Sequence, residues 1–395
     1  MPTETTSMTP STVTMDWITR LISIDTTSRD SNLPLIEVIV EQIRTLGVAP
    51  VLVRNADGTK ANLLATFPAA DGSTRGGIVL SGHTDVVPVD GQDWSSDPFT
   101  PEVRDGRLYG RGACDMKSFV GVVMAQLPQV AAVPLREPVH LAMSYDEEVG
   151  CTGAVSLVDE IVRRDLRPRA CLVGEPTSMR VIRAHKSIDL IRVAFHGVAV
   201  HSSLTPQGVN AIEYAAVFVR FVRSVADEFR LDGPFDEHYD VPFSTATVNQ
   251  IAGGIAVNTV PAECVLSLEF RSVGDVDVDA TVERFRAEAR RIEAAMQQEN
   301  PAARVDVQIV ASAPGLDTPE GAEVVELVTG WGATPTPEKV AYGTEAGLFD
   351  RAGIPTVVCG PGAIAQAHSP DEFVTLEQIA RCERLVEELI AHLGA

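Results

Sequence analysis

The chain has 395 residues, of which 45% are hydrophobic and 22% charged, a composition that excludes an intrinsically disordered protein and leaves room for two domains. Its formal net charge of −22 disfavours nucleic acid and anionic membranes as partners, and it has no apolar run long enough to cross a bilayer. Residues 1–17 lack the basic start and apolar segment of a secretion signal, so we expect a cytoplasmic protein. Six scattered cysteines without a CxxC pair indicate buried thiols.

Residues 1–183 alternate between helical and strand patterns. Apolar residues at helical spacing predict helices in DWITRLISI and in LPLIEVIVEQIRTLG, where the pattern ends at Gly47. Four short apolar runs bounded by turn residues predict strands: NLLATF, GIVLSGH, VHLAMSY and ACLVGE. Because helical segments such as SFVGVVMAQLPQVAAV separate these runs, we predict an α/β domain with a mixed, largely parallel sheet and helices on both faces.

The pattern changes near residue 184. VIRAHKSIDLIRVAFHG predicts closely spaced strands, and a long helix, two more strands and an Arg-rich helix follow. We interpret residues 184–302 as a smaller α+β domain inserted into the first. The α/β pattern returns in residues 303–395, which end in the strand IPTVVCG and the helix LEQIARCERLVEELIAHL.

Ionisable residues follow predicted strands at several places, and open α/β sheets build their sites at the carboxyl ends of strands. His83 and Asp85 follow GIVLSGH in the motif HTDVVP. A carboxylate two residues along an extended chain lies on the same face and can fix the tautomer of a metal-binding histidine. A strand-end histidine in a turn explains this motif equally well. Asp115 follows a Gly-rich turn in GRGACDMK, where an ordinary helix N-cap is the more frequent role.

Three further motifs add carboxylates and a second histidine. Asp146, Glu147 and Glu148 are consecutive in DEEVGCTGA, and such a run is usually a solvated acidic loop. Adjacent carboxylates also suit a two-metal site, where one binds metal and another takes a proton from water. Glu175 ends the strand of VGEPT, and His368 lies in AHSPDEF. Together the motifs supply a nitrogen and oxygen ligand set suited to zinc or a similar divalent ion.

In order and approximate spacing, these five motifs resemble those of the co-catalytic zinc deacylase family, from about residue 14 to the end of the chain. That family includes amino-acid deacetylases and desuccinylases, aminoacylases and glutamate-releasing carboxypeptidases. The resemblance implies two divalent metal ions, zinc in the first place and cobalt or manganese as alternatives. The ligands it implies are His83, Asp115, Glu148, Glu175 and His368. Asp115 would bridge the ions, and by analogy we pair His83 with Glu175 and Glu148 with His368.

The same resemblance implies roles for three other residues. Glu147 would be the general base. This role is consistent with chain geometry, because neighbours on an extended chain point to opposite sides and Glu147 would not bind metal in the same pose as Glu148. Asp85 would orient His83. The inserted domain would be a lid and dimerisation domain of a homodimer, and its His201 would hydrogen-bond the oxyanion in the neighbouring subunit's site. Without the resemblance, a loop histidine that caps the next helix is the favoured alternative.

The segments that would bind the substrate are also similar to those of the family. Asn258 and Arg271 match substrate-holding positions, and Arg suits a bidentate grip on an α-carboxylate, although a surface arginine is the commoner case. The loop AYGTEAGLF is similar to that of the acetylornithine deacetylase branch. Its Glu345 would suit a side-chain ammonium such as that of ornithine, unless it merely occupies the first turn of a helix from Ala346.

We therefore expect hydrolysis of N-acetyl-L-ornithine to L-ornithine and acetate, a step of arginine biosynthesis. The alternatives within the family are another N-acyl amino acid hydrolase, such as succinyl-diaminopimelate desuccinylase or aminoacylase, and a dipeptidase. A non-catalytic metal-binding or amino acid-binding protein is the alternative from another class. Loss of a ligand or of the base would indicate that class, and the sequence keeps all of them.

Overall fold

The computed structural model describes residues 9–394, which form two compact units. The first unit comprises residues 9–184, Leu316–Glu338 and residues 344–394, and the second comprises His185–Gly315 and Lys339–Gly343. The expectation that residues 1–17 carry no secretion signal falls partly on residues 1–8, which lie outside the described residues. Within residues 9–394, no helix is both long and apolar enough to span a membrane.

Helices and strands alternate along most of the described chain. The α-helices are α1 (Thr12–Ile22), α2 (Leu33–Thr45), α3 (Lys117–Ala132), α4 (Ala154–Arg163), α5 (Ala211–Asp232), α6 (Val278–Glu299), α7 (Glu323–Gly330), α8 (Ala346–Arg351) and α9 (Leu376–Leu393). Short 3₁₀ helices span Ser202–Gln207 and Ile364–Gln366. The strands are β1 (Val51–Arg54), β2 (Ala61–Phe67), β3 (Ile78–His83), β4 (Glu102–Arg104), β5 (Arg107–Tyr109), β6 (Val139–Ser144), β7 (Ala170–Pro176), β8 (Arg180–Val181), β9 (Ala184–His185), β10 (Ile188–His196), β11 (Thr245–Gly253), β12 (Glu263–Arg271), β13 (Arg304–Ala313), β14 (Leu316–Asp317), β15 (Thr334–Pro335), β16 (Thr356–Gly360) and β17 (Phe373–Thr375).

The first unit is built on a six-stranded sheet in the order β1-β2-β6-β3-β7-β16. Strands β6, β3, β7 and β16 are parallel to one another, whereas β1 and β2 pair in antiparallel fashion. Every residue of the four parallel strands is buried, which requires cover on both faces of the sheet. This confirms the predicted α/β class and explains why these strands are continuous apolar runs in the sequence.

Close packing fixes where helix α3 lies, directly after the loop that carries Asp115. A side chain at Gly174 of β7 would lie 2.0 Å from the ring of Phe119, so the absence of a Cβ there lets Phe119 of α3 rest on the sheet. Likewise a Cβ at Gly121 of α3 would lie 2.5 Å from Ile18 of α1. Helices α1 and α9 both pack against α3, and the shared core holds that layer in place.

The second unit has a four-stranded antiparallel sheet in the order β11-β12-β10-β13, with α5 and α6 packed against it. Four aromatic rings form the middle of its core, from Phe195, Phe218, Phe270 and Phe285. The sequence analysis ended the inserted domain at residue 302. In the structure β13 follows that point and pairs with β10, for example Val193 with Val307, so the second unit runs on to Gly315. The pairing partner lies more than a hundred residues away in the chain, and local patterns do not reveal it.

Candidate metal centre

The candidate site of the first unit lies at the carboxyl ends of three neighbouring parallel strands. His83 is the last residue of β3 and is in register with Ser144, the last residue of β6. Glu147 and Glu148 follow β6 by a few residues, and Glu175 lies near the end of β7, which pairs with β3 on its other side. Parallel strands end at one edge of the sheet, and this common edge brings the residues together.

The first group of candidate ligands consists of His83, Asp115 and Glu175, whose ligand atoms all lie within 4.8 Å of one another. His83 Nε2 is 2.9 Å from Asp115 Oδ1 and 3.6 Å from Glu175 Oε1. All three residues are buried. Within residues 9–394, Glu175 Oε1 has no hydrogen-bond partner.

The second group consists of Asp115, Glu148 and His368, whose ligand atoms also all lie within 4.8 Å of one another. His368 Nε2 is 3.2 Å from Asp115 Oδ2 and 3.0 Å from Glu148 Oε2. The His368 side chain is 49% exposed, whereas those of Asp115 and Glu148 are buried. Asp115 thus belongs to both groups and directs one carboxylate oxygen to each.

The donor atoms of the two groups fit divalent cations. Burial, with the nearby charge of Asp115, raises the pKa of Glu148 to about 7 and raises that of Glu175 well above its usual range. Like Glu175 Oε1, Glu148 Oε1 is buried and lacks a hydrogen-bond partner among the described residues. Unpaired buried polar atoms are rare in folded proteins, and carboxylate oxygens beside imidazole nitrogens are the ligands that zinc and related ions take.

Glu147 lies beside the two groups and belongs to neither. Its side chain is buried, and burial together with the charges of Glu148 and Asp115 raises its pKa to about 8, although His83 acts in the opposite direction. The thiol of Cys151 donates to Glu147 Oε1 at 3.4 Å. A carboxyl group that exchanges its proton near neutral pH suits general acid–base chemistry.

Asp85 orients His83 through its backbone carbonyl oxygen, whereas the sequence analysis expected its carboxylate to do so. His83 Nδ1 lies 2.9 Å from the backbone carbonyl oxygen of Asp85, whereas the Asp85 carboxylate is 3.7 Å away. Because a carbonyl oxygen can only accept, this contact places the ring proton on Nδ1 and leaves Nε2 for a ligand. The carboxylate instead accepts from Ser28 Oγ at 2.7 Å and from the backbone N–H groups of Glu147 and Glu148 at 3.2 and 3.4 Å. Asp85 therefore holds the loop of the acidic motif as well as His83.

Glu345 is fully buried, Ser81 Oγ donates to its Oε1 at 2.7 Å, and Ser144 Oγ donates to its Oε2 at 2.5 Å. It occupies the N-cap position of α8, but its side chain makes no capping hydrogen bond, so the helix-capping alternative does not describe it. Its role as partner of a substrate ammonium group stays a prediction. The carboxylate joins α8 to strands β3 and β6.

His201, Asn258 and Arg271 all lie in the second unit. His201 is exposed and precedes the 3₁₀ helix Ser202–Gln207, where its Nδ1 accepts from the backbone N–H of Ser203. This is the helix-capping arrangement that the sequence analysis gave as the alternative. Asn258 is exposed, and Arg271 at the end of β12 donates to Glu269 Oε1. Their catalytic and substrate-binding roles stay predictions.

The sequence analysis missed Glu372 and Arg111, which form a buried ion pair next to Asp115. Both lie inside the motifs already quoted, Arg111 in GRGACDMK and Glu372 in AHSPDEF. One motif contains an arginine and the other a glutamate, and both motifs also carry candidate ligands. This opposite charge is a sequence signal that could have identified the pair.

Comparisons with known proteins agree with this geometry. A family model described as Peptidase family M20/M25/M40 matches residues 79–392. An acetylornithine deacetylase of Myxococcus xanthus is 33% identical over 378 residues, which cover 95% of this chain and 96% of that protein. One from Pasteurella multocida is 33% identical over 370 residues and covers 93% of each chain. Among solved structures, the aminopeptidase PepT from Bacillus cereus has a TM-score of 0.72 at 19% identity, covers 98% of this chain and 99% of its own, and shows the same fold.

Proposed function

The chain belongs to Peptidase family M20/M25/M40, whose members are metal-dependent hydrolases, and we propose that it hydrolyses N-acetyl-L-ornithine to L-ornithine and acetate. The observation that carries the proposal is the placement of Asp115 in two groups of nitrogen and oxygen ligands, with the carboxylate of Glu147 beside them and outside both. The choice of substrate is supported by the identity of 33% to acetylornithine deacetylases over more than nine-tenths of the chain. It receives no support from Glu345, because that carboxylate is buried.

The proposed metal ligands follow the two groups. His83 and Glu175 would hold one divalent cation, Glu148 and His368 the other, and Asp115 both. We propose zinc, with cobalt or manganese as ions that the same donors accept. When bound, two such cations polarise a scissile carbonyl group and lower the pKa of water.

The chain's own contribution to proton transfer would come from Glu147. Its carboxylate accepts the proton of the attacking water, at the oxygen that the Cys151 thiol does not contact, and then delivers it to the nitrogen of the leaving amine. The backbone N–H of Glu147 donates to the carboxylate of Asp85, which holds the main chain of Glu147 in place. A proton acceptor on a fixed main chain has fewer orientations available towards the reacting water.

The second unit would complete the site in a homodimer. His201 would donate to the developing oxyanion in the neighbouring subunit's site, and Asn258 and Arg271 would hold the substrate, Arg271 by a bidentate grip on its α-carboxylate. Dimerisation through this unit is supported by β11, an edge strand of the antiparallel sheet, and by Ile255 and Val257, which are 91% and 104% exposed in the adjoining loop.

The test is a substrate panel with the zinc-loaded protein. It contains N-acetyl-L-ornithine, N-acetyl-L-norvaline, N-acetyl-L-methionine, N-succinyl-LL-diaminopimelate and a dipeptide. N-Acetyl-L-norvaline has the same carbon chain as the ornithine compound without its ammonium group, so it is the matched control for recognition of that charge. We expect the highest kcat/KM for N-acetyl-L-ornithine and a clear loss with the norvaline compound. A higher kcat/KM for any other member of the panel would replace the proposed substrate.

A further inference from the structure

Glu372 is a buried carboxylate to which the proposed chemistry gives no role. It lies four residues after His368, just before β17, and is 1% exposed. Its Oε2 accepts from Arg111 Nη1, and the Arg111 side chain is itself 1% exposed. Its Oε1 accepts two backbone N–H groups, from Cys114 at 2.8 Å and from Asp115 at 3.0 Å.

Arg111 extends this arrangement to the backbone of His368. Its second terminal nitrogen, Nη2, donates to Gln92 Oε1 at 2.6 Å, and Gln92 Nε2 donates to the carbonyl oxygen of His368 at 2.9 Å. The backbone N–H of Gly110 donates to the carbonyl oxygen of Glu372 at 3.0 Å. An unbroken path of hydrogen bonds therefore connects the main chain of Asp115 with the main chain of His368.

Stability alone is a poor explanation for this pair. Removing two charges from water costs several kcal/mol per ion, and well-packed apolar side chains usually stabilise a fold as well as a buried ion pair does. A buried ion pair does fix the positions of its neighbours, because the planar guanidinium and the carboxylate each hold several hydrogen-bond partners in a defined geometry. Here the fixed groups lie in the loops that carry Asp115 and His368 and in the segment between β3 and β4 that carries Gln92.

The loop of His368 requires such support. His368 has a φ of +59° and Asp371 a φ of +54°, in the left-handed region that side-chain-bearing residues seldom adopt. The His368 side chain is also about half exposed, so packing restrains its position less than that of Asp115. Backbone hydrogen bonds from outside the loop offset the cost of this conformation.

We propose that Glu372, acting through Arg111 and Gln92, is a positioning residue for the second cation site, which is the site formed by Asp115, Glu148 and His368. Glu372 acts there because it sets the separation between Asp115 and His368. The inference rests on the metal-binding part of the proposed function and does not depend on the substrate. Loss of an outer partner of metal ligands typically weakens metal binding about 10–100-fold.

The experiment compares cobalt and zinc binding by the full-length wild type with binding by Glu372→Gln and Gln92→Ala. Chelator competition gives the affinity of each binding step, the visible absorption of bound cobalt reports the ligand geometry, and thermal unfolding of the metal-free proteins reports stability. Glutamine keeps an oxygen for the two N–H groups but leaves Arg111 without its anion. We expect the second cation to bind about 10–100-fold more weakly in Glu372→Gln, with a smaller loss at the first.

Gln92→Ala removes the donor to His368 and the acceptor of Arg111 Nη2 and Trp94 Nε1, but it leaves the Glu372–Arg111 ion pair in place. Because Gln92 is only half-buried, this variant provides the answer if Glu372→Gln does not fold. The expected loss is smaller and confined to the second cation. The matched control is Glu383→Gln, since Glu383 is another buried carboxylate of the first unit that accepts a backbone N–H, from Ser11, and an O–H, from Thr14. It should bind both cations as the wild type does.

Wild-type affinity for both cations in the two variants would overturn the proposal, even if Glu372→Gln unfolds at a lower temperature, because it would assign the pair a structural role only. A wild type that binds fewer than two cations would remove the premise and the proposal with it. A wild type that binds two cations but hydrolyses no member of the substrate panel would refute the proposed function and leave the role of Glu372 standing.

Discussion

The two ligand groups share Asp115 and differ in how the rest of their members are held. His83 and Glu175 belong to β3 and β7, neighbouring strands whose ladder of hydrogen bonds sets their separation. Glu148 and His368 lie in loops, and their main chains are tied by side chains from elsewhere, Asp85 for Glu148 and Gln92 for His368. The comparison suggests that ligands on strands are positioned by the fold itself, whereas ligands on loops need dedicated partners.

The largest effect should come from Glu147, which belongs to neither group. Glu147→Gln removes the proton acceptor and leaves all candidate ligands in place, so we expect turnover to fall about 10²–10⁴-fold with metal content unchanged. Metal analysis and steady-state kinetics of the same preparation check this. Near-normal turnover would show that the assigned base is wrong, and loss of metal would place Glu147 among the ligands.

Removing one histidine at a time tests whether the groups are separate sites. We expect His368→Ala to bind one cation tightly, because His83, Asp115 and Glu175 stay intact, and to lose affinity for the other by more than the ~100-fold upper range for an outer partner. Calorimetric titration with zinc gives the stoichiometry. His196→Ala serves as the control, since His196 also faces a carboxylate, that of Asp306, but lies in the second unit. Loss of both cations from His368→Ala would mean that the groups do not act separately.

The loop-held group should also depend on pH in a defined way. Hydrogen bonds that His368 donates to the carboxylates of Asp115 and Glu148 raise the pKa of His368 to about 10, and burial raises the pKa of Glu148 to about 7. Both must lose protons to bind metal, so affinity for the second cation rises with pH. Between about pH 7 and 10 one proton is displaced and affinity changes about tenfold per pH unit, and below pH 7 the dependence steepens as Glu148 also becomes protonated.

Calorimetry in two buffers of different ionisation enthalpy measures the protons released at each pH. Release of about one proton at pH 8.5 and nearly two at pH 6 is the expected result for the second binding step. A constant affinity over this range would contradict the assignment of His368 and Glu148 as ligands.

The smallest of the predicted effects concerns Glu345, whose substitution should leave substrate selectivity unchanged. Because both of its oxygens are occupied by Ser81 and Ser144, Glu345→Gln should leave the ratio of kcat/KM between N-acetyl-L-ornithine and N-acetyl-L-norvaline unchanged within about twofold, while lowering the unfolding temperature. Measuring the ratio, not the absolute rate, separates recognition from stability. Collapse of the ratio towards one would restore Glu345 as the partner of the ammonium group.

The sequence allowed the strand-borne half of the site to be predicted more readily than the loop-borne half. Buried parallel strands are continuous apolar runs, so the ends of GIVLSGH and ACLVGE could be located, and with them His83 and Glu175. The ligand roles of all five residues came from resemblance to a family. A turn explained His83 equally well, and a helix N-cap and a solvated acidic loop were the more frequent explanations of Asp115 and Glu148.

What could not be predicted depends on contacts between distant parts of the chain. Glu345 meets Ser81 across 264 positions, and Glu372 meets Asp115 across 257. Local spacing contains no information about such pairs. The carboxylate of Asp85 is a different case, because its two-residue offset from His83 was recognised, but only the folded loop reveals that its oxygens face Ser28 and the backbone of the acidic motif.

The second unit takes its last strand-like segment, Lys339–Gly343, from beyond the point where the chain has already returned to the first unit. The backbone N–H of Lys339 donates to the carbonyl oxygen of His238, and its ammonium group pairs with Asp236. The polypeptide therefore passes between the units four times, after residues 184, 315, 338 and 343. If a deletion joined residue 184 directly to residue 316, the segment Lys339–Gly343 would remain without the rest of its unit. Removing the whole second unit therefore requires two deletions, one of His185–Gly315 and one of Lys339–Gly343.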